Sequence, residues 1–130
     1  MAKRQSIEIQ GFSHANPIPV ASRIGNIMMS SVISGRDPVT RKMPDALDQQ
    51  IVNIFSHIRG AVEAAGGSPE DIIKITFWIG DPASGRAALN GEWEKMFPDA
   101  NARPARHTQP LGEGGPSQVK CDFVAVFSEA

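Results

Sequence analysis

Between Asp45 and Ala65 the apolar residues Leu47, Ile51, Ile54, Phe55, Ile58 and Val62 fall at i, i+4, i+7, i+8, i+11 and i+15. That spacing is one stripe along a single helix, and such a stripe must lie against another apolar surface. Asp45 is placed to cap its start, and Gly66-Gly67 supply the stop. The "SPED" that follows predicts a short capped helical turn with Pro69 at its first position.

The partner surface comes from β-rich segments. "IIKITFWIG" puts Ile73, Ile75, Phe77 and Ile79 on one face and Lys74, Thr76 and Trp78 on the other. "QVKCDFVAVF" puts Val119, Cys121, Phe123, Ala125 and Phe127 against Lys120, Asp122, Val124 and Val126. "SIEIQGF" reads as a first strand and the mostly apolar "IGNIMMSSVISG" as a second. Between them "ANPIPVASRIGN", with its prolines and glycine, is expected to be loop, and "GRDPVTRKMPD" is turn chemistry. A second helix is expected from about Ser84 to Phe97, with Ala88, Leu89, Trp93, Met96 and Phe97 inward. Near "RHTQPL" a short strand begins, which Pro110 and the glycine-rich "GEGGPS" confine to an edge or bulge.

Two helices on one sheet make an α+β two-layer sandwich, and residues 1–130 show neither repeat nor linker, so one domain is expected. Two helices cover one face of a sheet only. Trp78, Val124 and Val126 lie on the other, so that face is expected to be buried by further copies of the chain. A net charge of −1 leaves no footprint for nucleic acid or an anionic membrane, and no run approaches a membrane span. "MAKRQSIEIQ" has no apolar core of a secretory signal, and the single cysteine, Cys121, excludes an internal disulfide. The expected setting is cytoplasmic.

Arg106 stands where a loop enters the short strand. Its planar fork suits a carboxylate or phosphate, and the competing reading is a structural arginine paired with Asp122 or with a neighbouring subunit's acid. Lys120 and Asp122 share the face opposite the core stripe. Lys120 could act as a base or be an ion-pair partner of Asp122 or Glu113. His14 and His107 could shuttle protons, whereas His57, on the polar face of the first helix with Asn53, is expected to be solvated. The histidines lack metal-ligand spacing, and neither "SVISG" nor "GEGG" has the context of a nucleophile elbow or a phosphate loop, so no metal and no cofactor is expected.

The stretches "NPIPVASRIGNIMMSSVISGRDPVT", "FSHIRGAVEAAGGSPEDIIKITFWI", "LNGEWEKMF", "RPARHT" and "KCDFVAVF", in this order from Asn16 to Phe127, resemble the RidA/YjgF reactive-intermediate deaminases. The resemblance implies a chorismate-mutase-like fold, two helices on one mixed sheet, assembled as a homotrimer with clefts between subunits. It implies that Arg106 grips the carboxylate of a 2-imino or 2-enamino acid, with Ser34, Gly35, His107, Asn90 and the early-loop position Ile18 around the ligand. Water then adds to the imine carbon, ammonia leaves and a 2-keto acid remains. In the best-known branch an acid on the last strand handles the water and a tyrosine stands in the early loop. Lys120 and Ile18 occupy these places here, and the chain has no tyrosine. Asp122, one pleat along, His14 or His107 could supply the acid/base function instead. Lys120 beside Arg106 would make the cleft more cationic and suit a dicarboxylate or larger anion.

Two other readings accompany deamination. A non-catalytic binder of small carboxylate metabolites needs only the arginine cleft. A ribonuclease or translation inhibitor, a role also described in this family, fits poorly with a net-acidic chain lacking a basic stripe.

Overall fold

A computed structural model describes residues 3–112 and 115–128. Glu113, one suggested partner of Lys120, lies outside the described residues. The strands are β1 (Gln5–Ile7), β2 (Ala21–Ile24), β3 (Ile27–Ser30), β4 (Ile33–Ser34), β5 (Ile72–Ile79), β6 (Ala105–Pro110) and β7 (Val119–Val126). The helices are α1 (Leu47–Ala64) and α2 (Pro82–Met96). One sheet runs β1-β2-β3-β7-β5-β6, with β4 also paired to β7. Every pairing is antiparallel except β5 with β6, so the sheet is mixed, as expected.

Both helices pack on one face. Ile54, Phe55 and Ile58 of α1, Leu89 and Trp93 of α2, Ile75, Phe77 and Ile79 of β5 and Cys121 and Phe123 of β7 form a single buried cluster. Phe55 stacks on Phe77 at 5.8 Å between ring centroids, and Trp93 meets Phe77 edge-on at 6.4 Å. The two helices are thus joined through one aromatic row across the sheet.

Several boundaries differ from the sequence expectation, each for a local reason. The segment expected as loop contains β2. Gly25, at φ +58°, and Asn26 make a two-residue turn that pairs Ile24 with Ile27. The single strand expected from 24 to 35 is instead broken. At the break the Phe123 N–H donates to Ser30 Oγ at 2.9 Å, so the side chain replaces a lost ladder acceptor on β7. In β5 a bulge falls between Ile72 and Lys74. It turns Ile72 into the core and leaves Ile73 exposed, correcting the expected alternation.

The first helix begins at Leu47 with Ala46, not Asp45, as its N-cap and without a side-chain cap. The Asp45 carbonyl instead accepts from Gln118 Nε2. At its end Gly66, at φ +91°, lets Gly67 N donate to the Val62 carbonyl, a stop only a left-handed residue permits. The "SPED" turn forms over Pro69–Asp71, with Ser68 N donating to Asp71 Oδ2 at 2.8 Å. The second helix starts earlier than expected, at Pro82, because the Asp81 side chain accepts from Ala83 N.

The face away from the helices carries Ile24, Ile27 and Met29, which are 47%, 49% and 58% exposed, beside half-buried Trp78, Val124 and Val126. An apolar patch of this sheet face is thus open in the isolated chain.

Candidate functional site

Strand β6 is the sheet edge, and its parallel register with β5 sets where each side chain goes. Arg106 is opposite Ile75, which is buried beneath the helices, so Arg106 lies on the helix side of the sheet. Its guanidinium stands 5.0 Å over the Trp93 ring, and Nη2 donates to Asn90 Oδ1 at 2.9 Å. Burial, and then the like charge of Arg86, disfavour the Arg106 cation and lower its pKa. Among the described residues no carboxylate lies within ion-pair distance of it. A half-buried fork, stacked on one face and held by a single neutral acceptor, keeps donors available for an incoming anion.

The expected alternative, pairing with Asp122, does not occur. Thr76 is in register with both His107 on β6 and Asp122 on β7, so these three share the open face, opposite to Arg106. Trp78, Gln109 and Lys120 form the next row. Within one protomer Lys120 and Arg106 are likewise on opposite faces of the sheet. Burial pushes the Asp122 carboxyl up, against the opposing charge of Lys74. The Cys121 thiol, fully buried, is pushed well up by burial and by Asp122.

Strand β4 brings Ser34 opposite Lys120, and the buried Gly35 follows it. Here α1 contributes polar groups that were not anticipated. Asn53 Nδ2 donates to the Gly35 carbonyl at 3.0 Å, and His57 Nε2 bonds the Arg36 carbonyl at 2.7 Å. His57 is 1% exposed, which corrects its expected solvation. One turn earlier, buried Gln50 donates to the Pro44 and Pro116 carbonyls and accepts from Gln118 N. Gln50, Asn53 and His57 at i, i+3 and i+7 are thus a second, polar stripe on the helix. It pins the irregular backbone that a helix of purely apolar contact would leave unsatisfied. The spacing was visible, but the loops it faces were not.

His57 gives the fold a pH dependence. Burial lowers its pKa from 6.5, and the Arg36 carbonyl bond pulls the other way. The unfolded chain therefore binds this proton more readily than the folded one. The stability so contributed is present above pH 6.5 and is lost as pH falls through the lower, folded value. Melting temperature should drop between about pH 7.5 and about pH 5.5, and less steeply in His57→Gln, whose amide can still donate to Arg36. Equal slopes for the two proteins would remove His57 from this account.

A cavity of about 500 Å³ opens beside Ser34 and Lys120, walled by the 11–15 loop with His14 and by Arg36 and Arg41. Ile18 is exposed in the loop before β2, its N–H donating to the Asn16 carbonyl, and does not line the cavity. Among the described residues no three His, Cys, Asp or Glu side chains cluster as metal ligands, and no helix is long and apolar enough to cross a membrane.

Residues 10–113 match the protein family described as Endoribonuclease L-PSP. The chain belongs to this family, that of the RidA/YjgF proteins. A RutC family protein of Aquifex aeolicus is 30% identical over 116 residues, covering 85% of this chain and 92% of that one. The 2-iminobutanoate/2-iminopropanoate deaminase of Escherichia coli is 29% identical over 104 residues, 79% of this chain and 80% of the enzyme. In three dimensions the crystal structure of RidA from the Antarctic bacterium Psychrobacter sp. PAMC 21119 superposes with a TM-score of 0.85, at 24% identity, over 95% of this chain and 99% of that one. The RidA/YjgF fold, two helices on one mixed sheet, is therefore that of this chain.

Proposed function

We propose that this RidA/YjgF protein hydrolyses 2-imino or 2-enamino acids to 2-keto acids and ammonia, at clefts between the subunits of a homotrimer. The observation that carries this reading is Arg106. It is a guanidinium at a sheet edge, stacked on Trp93 and steadied by Asn90, with no acid within ion-pair distance among the described residues. The substrate's carboxylate would complete it. Membership of the family and similarity to a 2-iminobutanoate/2-iminopropanoate deaminase support the choice of reaction.

The chemistry asks little of the protein. A protonated imine is already electrophilic at C2, so fixing its carboxylate presents that carbon to water and leaves only the protons of that water to manage. Water adds to C2, and one of its protons passes to a base and on to the nitrogen. As the C–N bond breaks, its electron pair leaving on ammonia, the second O–H proton is lost to the same base and the keto C=O forms. Asp122 is the group we assign to those protons, because burial raises its pKa towards the range in which a carboxyl can both take and return one. His107 stands in the same row, on the far side of Thr76 from Asp122.

Arg106 and Asp122 face opposite sides of their own sheet. One substrate can touch both only if the edge of one copy meets the open face of another. That face is also the apolar one, with Ile27, Met29, Val124 and Val126 in need of cover. The same geometry thus supports assembly and a shared site together. A ribonuclease, which the family's description names, would need a basic track for the phosphate backbone, and a net charge of −1 does not favour one.

The test is a coupled assay. An amino-acid oxidase generates 2-imino acids in place, semicarbazide traps what remains, and the protein should shorten imine lifetime. Loss of that effect in Arg106→Ala supports the reading. No acceleration by the unaltered protein with small or bulky imines sinks it, and Arg106-dependent carboxylate binding would then leave a non-catalytic binder.

A further inference from the structure

We propose that the cavity beside Ser34 and Lys120 holds a second carboxylate of the substrate, so that the preferred substrates are imines of dicarboxylic amino acids. This rests on the reading that Arg106 of a neighbouring copy takes the first carboxylate at the same cleft.

The cavity has a volume of about 500 Å³, and its lining includes three cations, Arg36, Arg41 and Lys120, and no carboxylate. Like charges on a concave wall focus a positive potential into the space they enclose. The nearest acid of the turn, Asp37, is already engaged. Its Oδ1 accepts from Val39 N at 2.7 Å and from Thr40 N at 2.9 Å. Those bonds hold its carboxyl below its usual pKa and turn it towards the backbone. Among the described residues neither Arg36 nor Arg41 has an acid within ion-pair distance.

Both arginines are exposed, yet each is hydrogen-bonded to the wall. Arg36 Nη1 donates to the Arg41 carbonyl at 3.3 Å, and Arg41 bonds the Gln10 carbonyl and, at 3.3 Å, Ser13 Oγ. Arg41 does so from a backbone φ of +67°, a left-handed conformation that a non-glycine residue holds only at a cost. His14, on the same wall, has Nε2 buried without a hydrogen-bond partner. An unpartnered ring nitrogen and three cations without an acid within ion-pair distance among the described residues surround one cavity, and an anion bearing several acceptor oxygens would answer them together. The cavity is too large for the carboxylate alone and leaves room for the carbon chain that links it to the reacting imine.

The experiment compares the binding of 2-oxoglutarate and 2-oxopentanoate by isothermal titration calorimetry. The two share the keto acid and chain length and differ in the distal carboxylate. The unaltered protein should bind 2-oxoglutarate at least about tenfold tighter, the factor that one charge-assisted hydrogen bond supplies. In Arg36→Gln/Arg41→Gln the preference should fall towards one. Arg41 also ties two loops, so Lys120→Gln, whose side chain makes no hydrogen bond among the described residues, is the second variant and should reduce the same ratio. Arg106→Ala should weaken both ligands alike. Equal affinity for the two ligands in the unaltered protein overturns the inference, as does a preference that survives both variants. A dicarboxylate preference in a protein that accelerates no imine leaves the second-carboxylate site standing and removes deamination, and with it the imine as substrate, instead.

Discussion

Arg106→Ala should lower kcat/KM for imine hydrolysis by about a hundredfold to a thousandfold, the usual consequence of removing one partner of a bidentate charge pair. The loss should fall on both constants. The fork binds the carboxylate in the ground state and so sets KM, but it also holds C2 where water can reach it, and that positioning appears in kcat. Arg106→Lys should recover only a fraction, because an ammonium offers a point charge in place of the planar fork that stacks on Trp93 and reaches past Asn90. The fold itself should barely notice. The variant forfeits one exposed hydrogen bond and one cation–π contact, together worth about 1 kcal/mol. A variant retaining near-normal kcat/KM would show that the carboxylate is bound elsewhere.

Gly35→Ala should act through the opposite route, on stability first. A Cβ on Gly35 would stand 2.5 Å from the Gln50 carbonyl oxygen and 2.7 Å from its Cα, which is helix backbone and not the end of a flexible side chain. Neither side can yield cheaply. Gln50 is fixed to Pro44, Pro116 and Gln118, and the Gly35 carbonyl is held by Asn53. Overpacking of this kind costs about 3 kcal/mol. For a chain of this size that corresponds to a melting temperature lower by roughly 10 °C. The effect comes from lack of room and not from backbone conformation, since Gly35 is not among the glycines at positive φ. An unchanged melting temperature would mean that the Ser34–Arg36 backbone moves aside. Deamination should then fall, because that backbone lines the proposed cleft.

Much of this architecture could be read in the chain. The α1 stripe ends at Gly66-Gly67, the β7 alternation runs unbroken from Val119, and one helical layer against a two-faced sheet leaves Val124 and Val126 uncovered. What escaped were features decided by partners distant in sequence. The bulge that exposes Ile73 is set by β7, not by the apolar pattern of β5 itself. His57 and Asn53 sit on what looks like a polar helix face until the 34–36 backbone folds over it and needs donors. The β2 hairpin does have a local signal in its Gly25-Asn26 turn, but the prolines before it mark the segment as loop more strongly.

The candidate site divides in the same way. Arg106 stood out by residue type and place, but its neighbours did not. Whether it faces Asp122 or Asn90 depends on the parallel register that sets Arg106 beside Ile75, a fact with no local signature. Arg36 and Arg41 resembled ordinary turn charges. Only the cavity they share with Lys120 gives them a common direction.

Subunit mixing tests whether Arg106 and Asp122 serve one substrate from two copies of the chain. Arg106→Ala and Asp122→Asn should each be inactive alone in the imine assay. When equal amounts are unfolded and refolded together, roughly a quarter of the unaltered activity should return, since random assembly pairs an intact Arg106 with a neighbour's intact Asp122 at that frequency. No recovery in demonstrably mixed oligomers, or an Asp122→Asn protein that is fully active alone, would contradict it.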